Sequence, residues 1–405
     1  MRIAFVTPEY ITESYFCGGL ANLTYRWARG FAERGHEVHV VTLSDQEPKE
    51  FEAEGVQVHR VHRGYWLPRL MQLLTGHRIP RTSEWLDFGW QACKRVWKLH
   101  RAVSLDVIQY YNYMTGGLFL QMLVPVPQVN MLSSYRPMIH EKASVVESLD
   151  TRMMAWLESL QIRMGKHIFA PSETLKKIVA SQLGIDHIQV IRPPFYIEVD
   201  ELDPTEYRER LEGKEYLLYF GRLERVKGVH ILGEALPVVF RQFPHLLAVF
   251  VGLDKSAPDG GSMREYVRRC CSTLSDRLVF IEPLPHSKLY PIIQGARLVV
   301  LPSLTDNLPN TLLEAMGLGK AVVGTRGCSF DELIEHGVSG FLAKPGNAED
   351  LSRVIIEALS FYQLDKIGNA AQRVASSMRP ERTLSDLERY FKSIVDKQQL
   401  RRLMI

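Results

Sequence analysis

The chain has 405 residues, more than one hydrophobic core usually serves and about the length of two globular domains. Its composition, 46% hydrophobic and 23% charged, is that of a folded soluble protein and excludes a largely disordered one. Because 49 Lys and Arg residues face 46 Asp and Glu residues, the net charge is only +3, and no nucleic acid partner is expected.

The cysteines and the first residues bear on the compartment. Five cysteines, with no CxxC pair among them, favour reduced thiols over a disulfide framework or a zinc site. The opening MRIAFVTPEY reads as a strand and lacks the basic start and long apolar run of a signal peptide. We therefore expect a cytoplasmic protein.

The first forty residues predict a strand, a glycine-containing loop and a helix. RIAFVTPEY is followed by Gly18 and Gly19, and then by apolar residues three or four positions apart from Leu20 to Phe31. Gly35 is placed to end that helix, and HEVHVVTL reads as the next strand. Such a βαβ unit opens a Rossmann-like domain.

Residues 60–101 are strongly basic, with only Glu84 and Asp87 as acids. Their basic residues are Arg60, Arg63, Arg69, Arg78, Arg81, Lys94, Arg95, Lys98 and Arg101. Apolar residues lie among them: Tyr65, Trp66, Leu67, Leu70, Met71, Leu73 and Leu74. Such a segment can lie on an anionic membrane surface or meet a lipid-linked molecule. The alternative is an insertion packed on its own domain with a solvated basic face.

Residues 107–135 carry no charge and form a segment long enough to cross a bilayer. Gly116, Gly117, Pro125 and Pro127 interrupt the run, together with several amides. The segment is therefore predicted to form two buried strands around a glycine-rich turn.

The same alternation of strands and helices begins again after VIRPPFYIEVDELDP, whose prolines and acids mark a domain boundary. EYLLYFG reads as a strand, GRLERVKG as a basic loop and VHILGEALPVVFRQF as a helix, and further short apolar runs alternate with helical segments. We expect an N-terminal Rossmann-like domain over 1–198, a second Rossmann-like domain over 199–380, and a C-terminal helix over 381–405 that packs on the first domain.

The stretch LPSLTDNLPNTLLEAMGLGKAVVGT carries two carboxylates, Asp306 and Glu314, at the predicted end of a strand and start of a helix. Asn310 or Thr311 is expected to cap that helix. The amino end of a helix favours a phosphate, which two carboxylates would repel if they faced it. Their natural partners are hydroxyls, so the spacing indicates a ligand with hydroxyl-rich rings on both sides of a phosphate, which describes a nucleotide sugar.

A diphosphate needs positive charge, and GRLERVKG offers Arg222 and Lys227. An arginine grips phosphate bidentately and a lysine adds a mobile point charge. These two side chains are expected to stabilise a leaving nucleoside diphosphate. No DxD motif is present, and no metal or cofactor is expected.

These features resemble the retaining GT-B glycosyltransferases of family 4 over nearly the whole chain. The resemblance rests on the loop of Gly18 and Gly19, on VIRPPF, GRLERVKG and FIEPLPHSKLYPII, and on residues 301–325. The family signature is two glutamates separated by seven residues; here the first is Asp306, whose side chain is one methylene shorter. The family histidine at the end of a strand in the first domain is replaced by Ser133 and Ser134 in PQVNMLSSYRP.

The resemblance implies an α/β protein with the GT-B fold, two Rossmann-like domains whose parallel sheets face a central cleft, and a C-terminal helix that crosses back to the first domain. It implies that the domain over 1–198 binds the acceptor and that the domain over 199–380 binds the nucleotide sugar. It implies hexosyl transfer with retention from a nucleotide diphosphate sugar, preferably a UDP-sugar and alternatively a GDP-sugar, in glycan or glycoconjugate biosynthesis. The acceptor would be a sugar, a lipid-linked molecule or another small molecule, with peripheral membrane contact through residues 60–101 as a further expectation.

The family also implies roles for individual residues. Glu314 would hold the ribose, Asp306 the transferred sugar, and Arg222 and Lys227 the diphosphate. Further donor-binding positions are Gly18, Gly19, Glu282, Leu284, Asn307, Leu308, Asn310 and Thr311, and acceptor-side candidates are Ser133, Ser134, Arg136 and His140.

Two other functions share this architecture. A sugar-nucleotide 2-epimerase would convert the nucleotide sugar without an acceptor, and a non-catalytic GT-B partner subunit would bind ligand without turnover or not bind it.

Overall fold

The computed structural model describes residues 1–13, 19–47, 49–138, 147–197, 199 and 201–403. They divide into two compact units. The first unit contains the described residues up to 194 together with those from 380 onward, and the second contains those between 195 and 379.

The first unit is built on an eight-stranded sheet of order β3-β4-β2-β1-β5-β6-β7-β8. The edge strand β3 pairs antiparallel with β4, which departs from the all-parallel expectation, and the other pairings are parallel. The strands are β1 Arg2–Thr7, β2 Glu37–Leu43, β3 Glu50–Ala53, β4 Val56–Val61, β5 Val107–Tyr111, β6 Gln128–Met131, β7 Ile168–Ala170 and β8 Ile188–Val190.

Helices connect these strands. They are α1 Gly19–Glu33, α2 Trp66–Leu74, α3 Pro80–Val103, α4 Leu118–Leu123, α5 Leu149–Met164 and α6 Glu173–Leu183, with a 3-10 turn over Tyr113–Thr115. The interpretation of residues 107–135 as two strands around a turn was incomplete, because α4 and the 3-10 turn lie between β5 and β6. Among the helices that the structure describes, none has the length and apolar character needed to cross a bilayer.

The second unit contains a six-stranded parallel sheet of order β11-β10-β9-β12-β13-β14. Every residue of its central strand β9 is buried, as expected for a parallel strand covered on both faces. The strands are β9 Tyr216–Phe220, β10 Leu247–Val251, β11 Leu278–Ile281, β12 Leu298–Val300, β13 Val322–Thr325 and β14 Phe341–Ala343.

The helices of the second unit are α7 Thr205–Arg210, α8 Val229–Gln242, α9 Met263–Cys270, α10 His286–Gly295, α11 Asn310–Gly317, α12 Ala348–Ser360 and α13 Leu364–Ser376. Shorter 3-10 turns span Arg225–Lys227, Ser272–Arg277 and Ser329–Glu332.

The last helix, α14 Pro380–Leu403, packs in the first unit. The ring of its Phe391 stacks on Phe31 of α1 at a centroid distance of 5.6 Å. Gly30 permits this approach, since a Cβ at that position would lie 2.5 Å from Cδ1 of Leu384. The apolar face of α14 thus completes the core beside β1.

Candidate active site

The second sheet has a topological switch point between β9 and β12. The chain runs outward from β9 through β10 to β11 and then crosses back to form β12 on the other side of β9. Leu217 and Leu218 of β9 pair with Leu298 and Val299 of β12. Ligands of open α/β sheets bind at the carboxyl ends of strands at such a point. The loops after these two strands, which contain Lys227 and Asp306, therefore share one edge.

Glycines let the backbones at this edge meet. Gly228 adopts φ +70°, and a Cβ there would lie 1.9 Å from the carbonyl oxygen of Pro302. Gly252, at φ +150° after β10, would place a Cβ 1.9 Å from the carbonyl oxygen of Gly221. Neither position accepts a side chain, because the obstructing atoms belong to the backbone. The loops after β9, β10 and β12 are thereby packed into one surface.

Lys227 and Asp306 form an ion pair on this surface. The Lys227 Nζ donates to Oδ2 of Asp306 at 2.6 Å, and the two side chains are 25% and 12% exposed. Oδ2 also accepts from the Ser303 hydroxyl at 3.1 Å, and Oδ1 accepts from the backbone N–H of Asn307 at 3.0 Å. Three groups thus fix the carboxylate and bring its negative charge beside the ammonium.

The segment after Asp306 is held in an unusual conformation. Leu308 adopts φ +62°, a left-handed conformation that non-glycine residues rarely occupy. Its backbone N–H donates to the Ser329 hydroxyl at 2.5 Å, and that hydroxyl donates to the Asp306 carbonyl at 3.4 Å. Ser329 follows β13 and was not identified from the sequence. It fixes the loop that leads into α11.

The expected cap of α11 was wrong. Pro309 occupies the N-cap position, and its ring offers no acceptor for a capping hydrogen bond. Asn310 and Thr311 are instead the first two helical residues, and the Thr311 Cγ2 lies 3.7 Å from where a Cβ on Gly221 would stand. Proline suits a helix start because its fixed φ is already close to helical. The amino end of α11 therefore meets the loop after β9.

Glu314 lies one turn into α11 and is buried. Its Oε1 is 3.5 Å from Nε2 of His286, the first residue of α10, and the His286 ring stacks on Tyr290 at a centroid distance of 5.2 Å. His286 lies within the FIEPLPHSKLYPII motif but was not singled out by the sequence argument. The contact couples the start of α10 to α11.

The other predicted donor-side residues lie in the same unit. The Arg222 guanidinium forms an ion pair with Oε1 of Glu224 at 2.9 Å and is half-exposed. Glu282, directly after β11, is exposed and pairs with Arg264, whose hydrogen bond lowers the pKa of the Glu282 carboxyl. Leu284 is half-buried. The structure thus brings Lys227, Asp306 and Asn307 into direct contact, whereas Arg222 and Glu282 contact other partners.

Acceptor-side candidates follow β6 in the first unit. The Asn112 side chain accepts from the backbone N–H of Ser133 at 2.8 Å and donates to the Ser134 carbonyl at 2.6 Å. The buried Glu158 accepts from Nδ2 of Asn112 at 2.6 Å and from the backbone N–H of Arg136 at 2.8 Å. Burial raises the pKa of Glu158 to about 7, against the lowering effect of these hydrogen bonds.

Three further points concern the predicted site. Gly19 is the first residue of α1, whereas Gly18 and His140 lie outside the described residues. Within the described ranges, no three His, Cys, Asp or Glu side chains are grouped so that they could hold a metal ion. Sequence reasoning missed Asn112 and Glu158, which carry no local motif and meet only in the fold.

Two family models match consecutive parts of the chain. Residues 17–198 match "Glycosyltransferase Family 4" and residues 205–374 match "Glycosyl transferases group 1", so together they span most of it. The chain belongs to the family 4 type of GT-B glycosyltransferases.

Individual proteins resemble this glycosyltransferase along its whole length. An uncharacterized glycosyltransferase of Methanocaldococcus jannaschii, MJ1607, is 26% identical over 374 residues, with 89% of each chain covered. The sucrose-phosphate synthase structure from Thermosynechococcus elongatus aligns with a TM-score of 0.77 at 16% identity, covering 98% of this chain and 99% of that one. Anabaena HepE in complex with UDP and glucose aligns with a TM-score of 0.70 at 21% identity, covering 97% and 100%. At these identities the structures establish the shared fold.

Proposed function

We propose that this glycosyltransferase moves a hexose from a nucleotide diphosphate sugar to an acceptor hydroxyl with retention of configuration. The observation that carries the proposal is the contact between Lys227 and Asp306, at the switch point of the second sheet and beside the amino end of α11. It joins a phosphate-binding cation to a hydroxyl-binding carboxylate at one edge. A UDP-sugar is the preferred donor, in line with the UDP and glucose bound by HepE, and a GDP-sugar is the alternative.

The donor is proposed to extend along this edge. Glu314 accepts from the ribose diol, while Asp306 and the backbone from Asn307 to Asn310 contact the transferred sugar. Lys227 holds the diphosphate, and its ammonium, which has three donors, can bind a carboxylate and a phosphate oxygen together. Arg222, Gly18 and Gly19 are also proposed to contact the diphosphate. Glu282 and Leu284 are proposed to contact the base, and Leu308 and Thr311 to line the surface around the donor.

Front-face transfer accounts best for these groups. The acceptor oxygen forms a bond to the anomeric carbon on the face from which the diphosphate oxygen departs, and the acceptor proton passes to an oxygen of that leaving diphosphate. The sequence of the first unit offers no carboxylate motif for a covalent intermediate. Catalysis then rests on positioning and on stabilisation of the leaving group by Arg222 and Lys227, which supply charge without a metal.

The acceptor side is proposed to involve Ser133, Ser134 and Arg136, together with His140. The acceptor class is a sugar, a lipid-linked molecule or another small molecule. We place the protein in the cytoplasm, with peripheral membrane contact through residues 60–101.

Product analysis tests the proposal. The full chain is incubated with UDP-glucose in EDTA, with and without a panel of sugar and lipid-linked acceptors, and nucleoside diphosphate release is measured with the anomeric configuration of any product. Acceptor-dependent release and a retained configuration are expected, and inversion would refute the front-face step. Conversion of the nucleotide sugar without acceptor would indicate the 2-epimerase alternative. Donor binding without any turnover would indicate the non-catalytic one.

A further inference from the structure

An exposed apolar surface runs along α2. Trp66, Leu70, Leu73 and Leu74 have the spacing of one helix face, and Tyr65 precedes them; we call these five residues the apolar ridge. Tyr65 is 91% exposed, and Leu73 and Leu74 are 74% and 75% exposed. Single exposed apolar residues are ordinary, but two aromatic rings and three leucines in one ten-residue segment mark an interaction surface.

A basic pocket of about 390 Å³ adjoins the ridge in sequence and in the fold. Its ionisable lining residues are all basic, and the full lining is Arg60, Val61, His62, Arg63, Gly64, Gln91, Lys94, Arg95 and Lys98. Three arginines among them have acidic partners outside the lining, namely Glu13 for Arg60, Glu84 for Arg63 and Glu50 for Arg95. Lys94 and Lys98 are exposed on α3. The pocket is therefore cationic at its mouth.

The attraction of this pocket for an anion comes from its exposed lysines. Nε2 of His62 and Nε of Arg95 have no hydrogen-bond partner among the described residues, but both atoms are shielded from solvent, so a ligand oxygen in the pocket does not reach them. Lys94 and Lys98 stand at the mouth, where an anionic group meets them first.

Gly64 fixes the pocket and the ridge to each other. Its backbone N–H donates to Oδ2 of Asp87 at 2.5 Å, and a Cβ on Gly64 would lie 2.3 Å from Nε2 of Gln91. The pocket residues 60–64 therefore press against α3 immediately before Tyr65 begins the ridge. A ligand with an anionic head and an apolar body would meet both features.

We infer that the pocket and the ridge together bind an anionic phospholipid membrane, with a lipid phosphate in the pocket and the ridge among the acyl chains. Basic residues attract anionic headgroups, and aromatic and aliphatic side chains partition into the interface. A nucleic acid would leave the leucines uncovered. A second copy, packed face to face, would bring two cationic pockets together. The inference rests on the membrane contact in the proposed function and specifies its ligand.

Vesicle flotation with the full chain tests this surface. Vesicles of phosphatidylcholine alone are compared with vesicles of equal parts phosphatidylcholine and phosphatidylglycerol. The wild type should bind the anionic vesicles at least about tenfold better, and binding should weaken as salt is raised. The double variant Leu73→Gln, Leu74→Gln should lose vesicle binding, and Lys94→Gln, Lys98→Gln should lower it about fivefold for each lysine removed.

Controls separate this inference from the proposed transfer reaction. Tyr362→Ser and Arg389→Gln alter exposed residues elsewhere and should bind vesicles like the wild type. Each variant is also tested for thermal stabilisation by UDP-glucose, which the membrane surface should not affect. Equal binding to both vesicle types, or unchanged binding by the leucine variant, would overturn the inference whatever the donor result. So would a wild-type dimer that the leucine variant abolishes, or inorganic phosphate binding in the pocket without vesicle binding.

Discussion

The Lys227 ammonium lies 2.6 Å from Oδ2 of Asp306, and the two residues come from loops that follow neighbouring strands, β9 and β12. The pair therefore depends on the switch point of the sheet and not on proximity in the chain. It places opposite charges where the diphosphate of the proposed donor meets the transferred sugar.

Lys227→Ala should lower kcat/KM for transfer by about 10²-fold or more, since a charge aimed at the leaving group is removed. The measurement is steady-state nucleoside diphosphate release with the identified acceptor. Lys366→Ala, which removes an exposed lysine of α13, is the matched control and should retain wild-type rates. Unchanged turnover in Lys227→Ala would remove this residue from the mechanism.

Asp306→Asn should impair transfer more than Asp306→Glu. The amide has one acceptor oxygen in place of two and no charge for Lys227, whereas glutamate keeps the charge and gains the methylene found in the family signature. Comparing kcat and the donor KM of both variants checks this order. Small and equal effects in the two variants would mean that the carboxylate does not contact the donor sugar.

Glu314→Ala should abolish most transfer and also the preference for a ribose donor. The wild type should use UDP-glucose at least about tenfold better than its 2′-deoxy analogue, because a hydrogen bond to a charged group contributes about 1.5–3 kcal/mol. In the variant the two donors should become equivalent. A preference that survives in Glu314→Ala would place the ribose contact elsewhere.

Glu158→Gln should raise the acceptor KM and leave the donor KM unchanged. Glu158 accepts from two N–H groups that hold the segment 133–136, and glutamine can accept at only one of its two terminal atoms. The same loss should occur in the wild type as pH falls through the raised pKa of about 7, because the protonated carboxyl also loses an acceptor site. The variant should lack that pH dependence. If the acceptor KM of the variant and that of the wild type depended on pH in the same way, the positioning role would be contradicted.

Two stacked histidines should make the fold acid-sensitive. Arg95 donates to Nδ1 of His59 at 2.6 Å, so His59 is neutral and presents its Nε2 proton to Nδ1 of His39 at 3.0 Å. Burial, with a smaller contribution from the nearby Arg95 charge, lowers the pKa of His59 to about 4.

The direction in which stability changes with pH follows from proton binding. A His59 pKa lowered on folding means that the unfolded chain binds more protons, so this stability is complete above pH 6.5 and is lost as pH falls towards 4. The loss approaches about 3 kcal/mol, at about 1.4 kcal/mol per pH unit. Urea unfolding from pH 4 to 7 should show a flatter dependence in His59→Gln than in the wild type or in the exposed control His245→Gln. Parallel curves would contradict this account.

Local patterns predicted the strands and helices that surround the donor-side loops, because a buried parallel strand and an amphipathic helix each have their own periodicity. They failed at α4, where an uncharged run suits strand and helix alike, and at the start of α11, where Pro309 rather than Asn310 precedes the first helical residue. Boundary positions depend on small differences in backbone free energy that a sequence pattern does not contain.

The site was predictable only as far as residues share a loop or a motif. Asp306 and Glu314 lie in one stretch, and Lys227 lies in a basic loop next to a strand. His286, Ser329 and Glu158 contact their partners across 28, 21 and 46 positions of the chain, respectively, and those contacts arise from strand order and helix packing. Such tertiary pairs leave no local signal in a single sequence.

Donor binding by the second unit is the central claim, and thermal unfolding of the full chain tests it most directly. Wild type, Lys227→Ala and Glu314→Ala are melted in EDTA with UDP, GDP, ADP and their sugar conjugates. A ligand at about a hundred times its Kd stabilises the folded state by about 2.7 kcal/mol. We expect a selective shift with a uridine or guanosine diphosphate sugar that persists in EDTA and is lost in both variants. No shift of the wild type with any nucleotide would contradict the account, and so would a shift in both variants equal to that of the wild type.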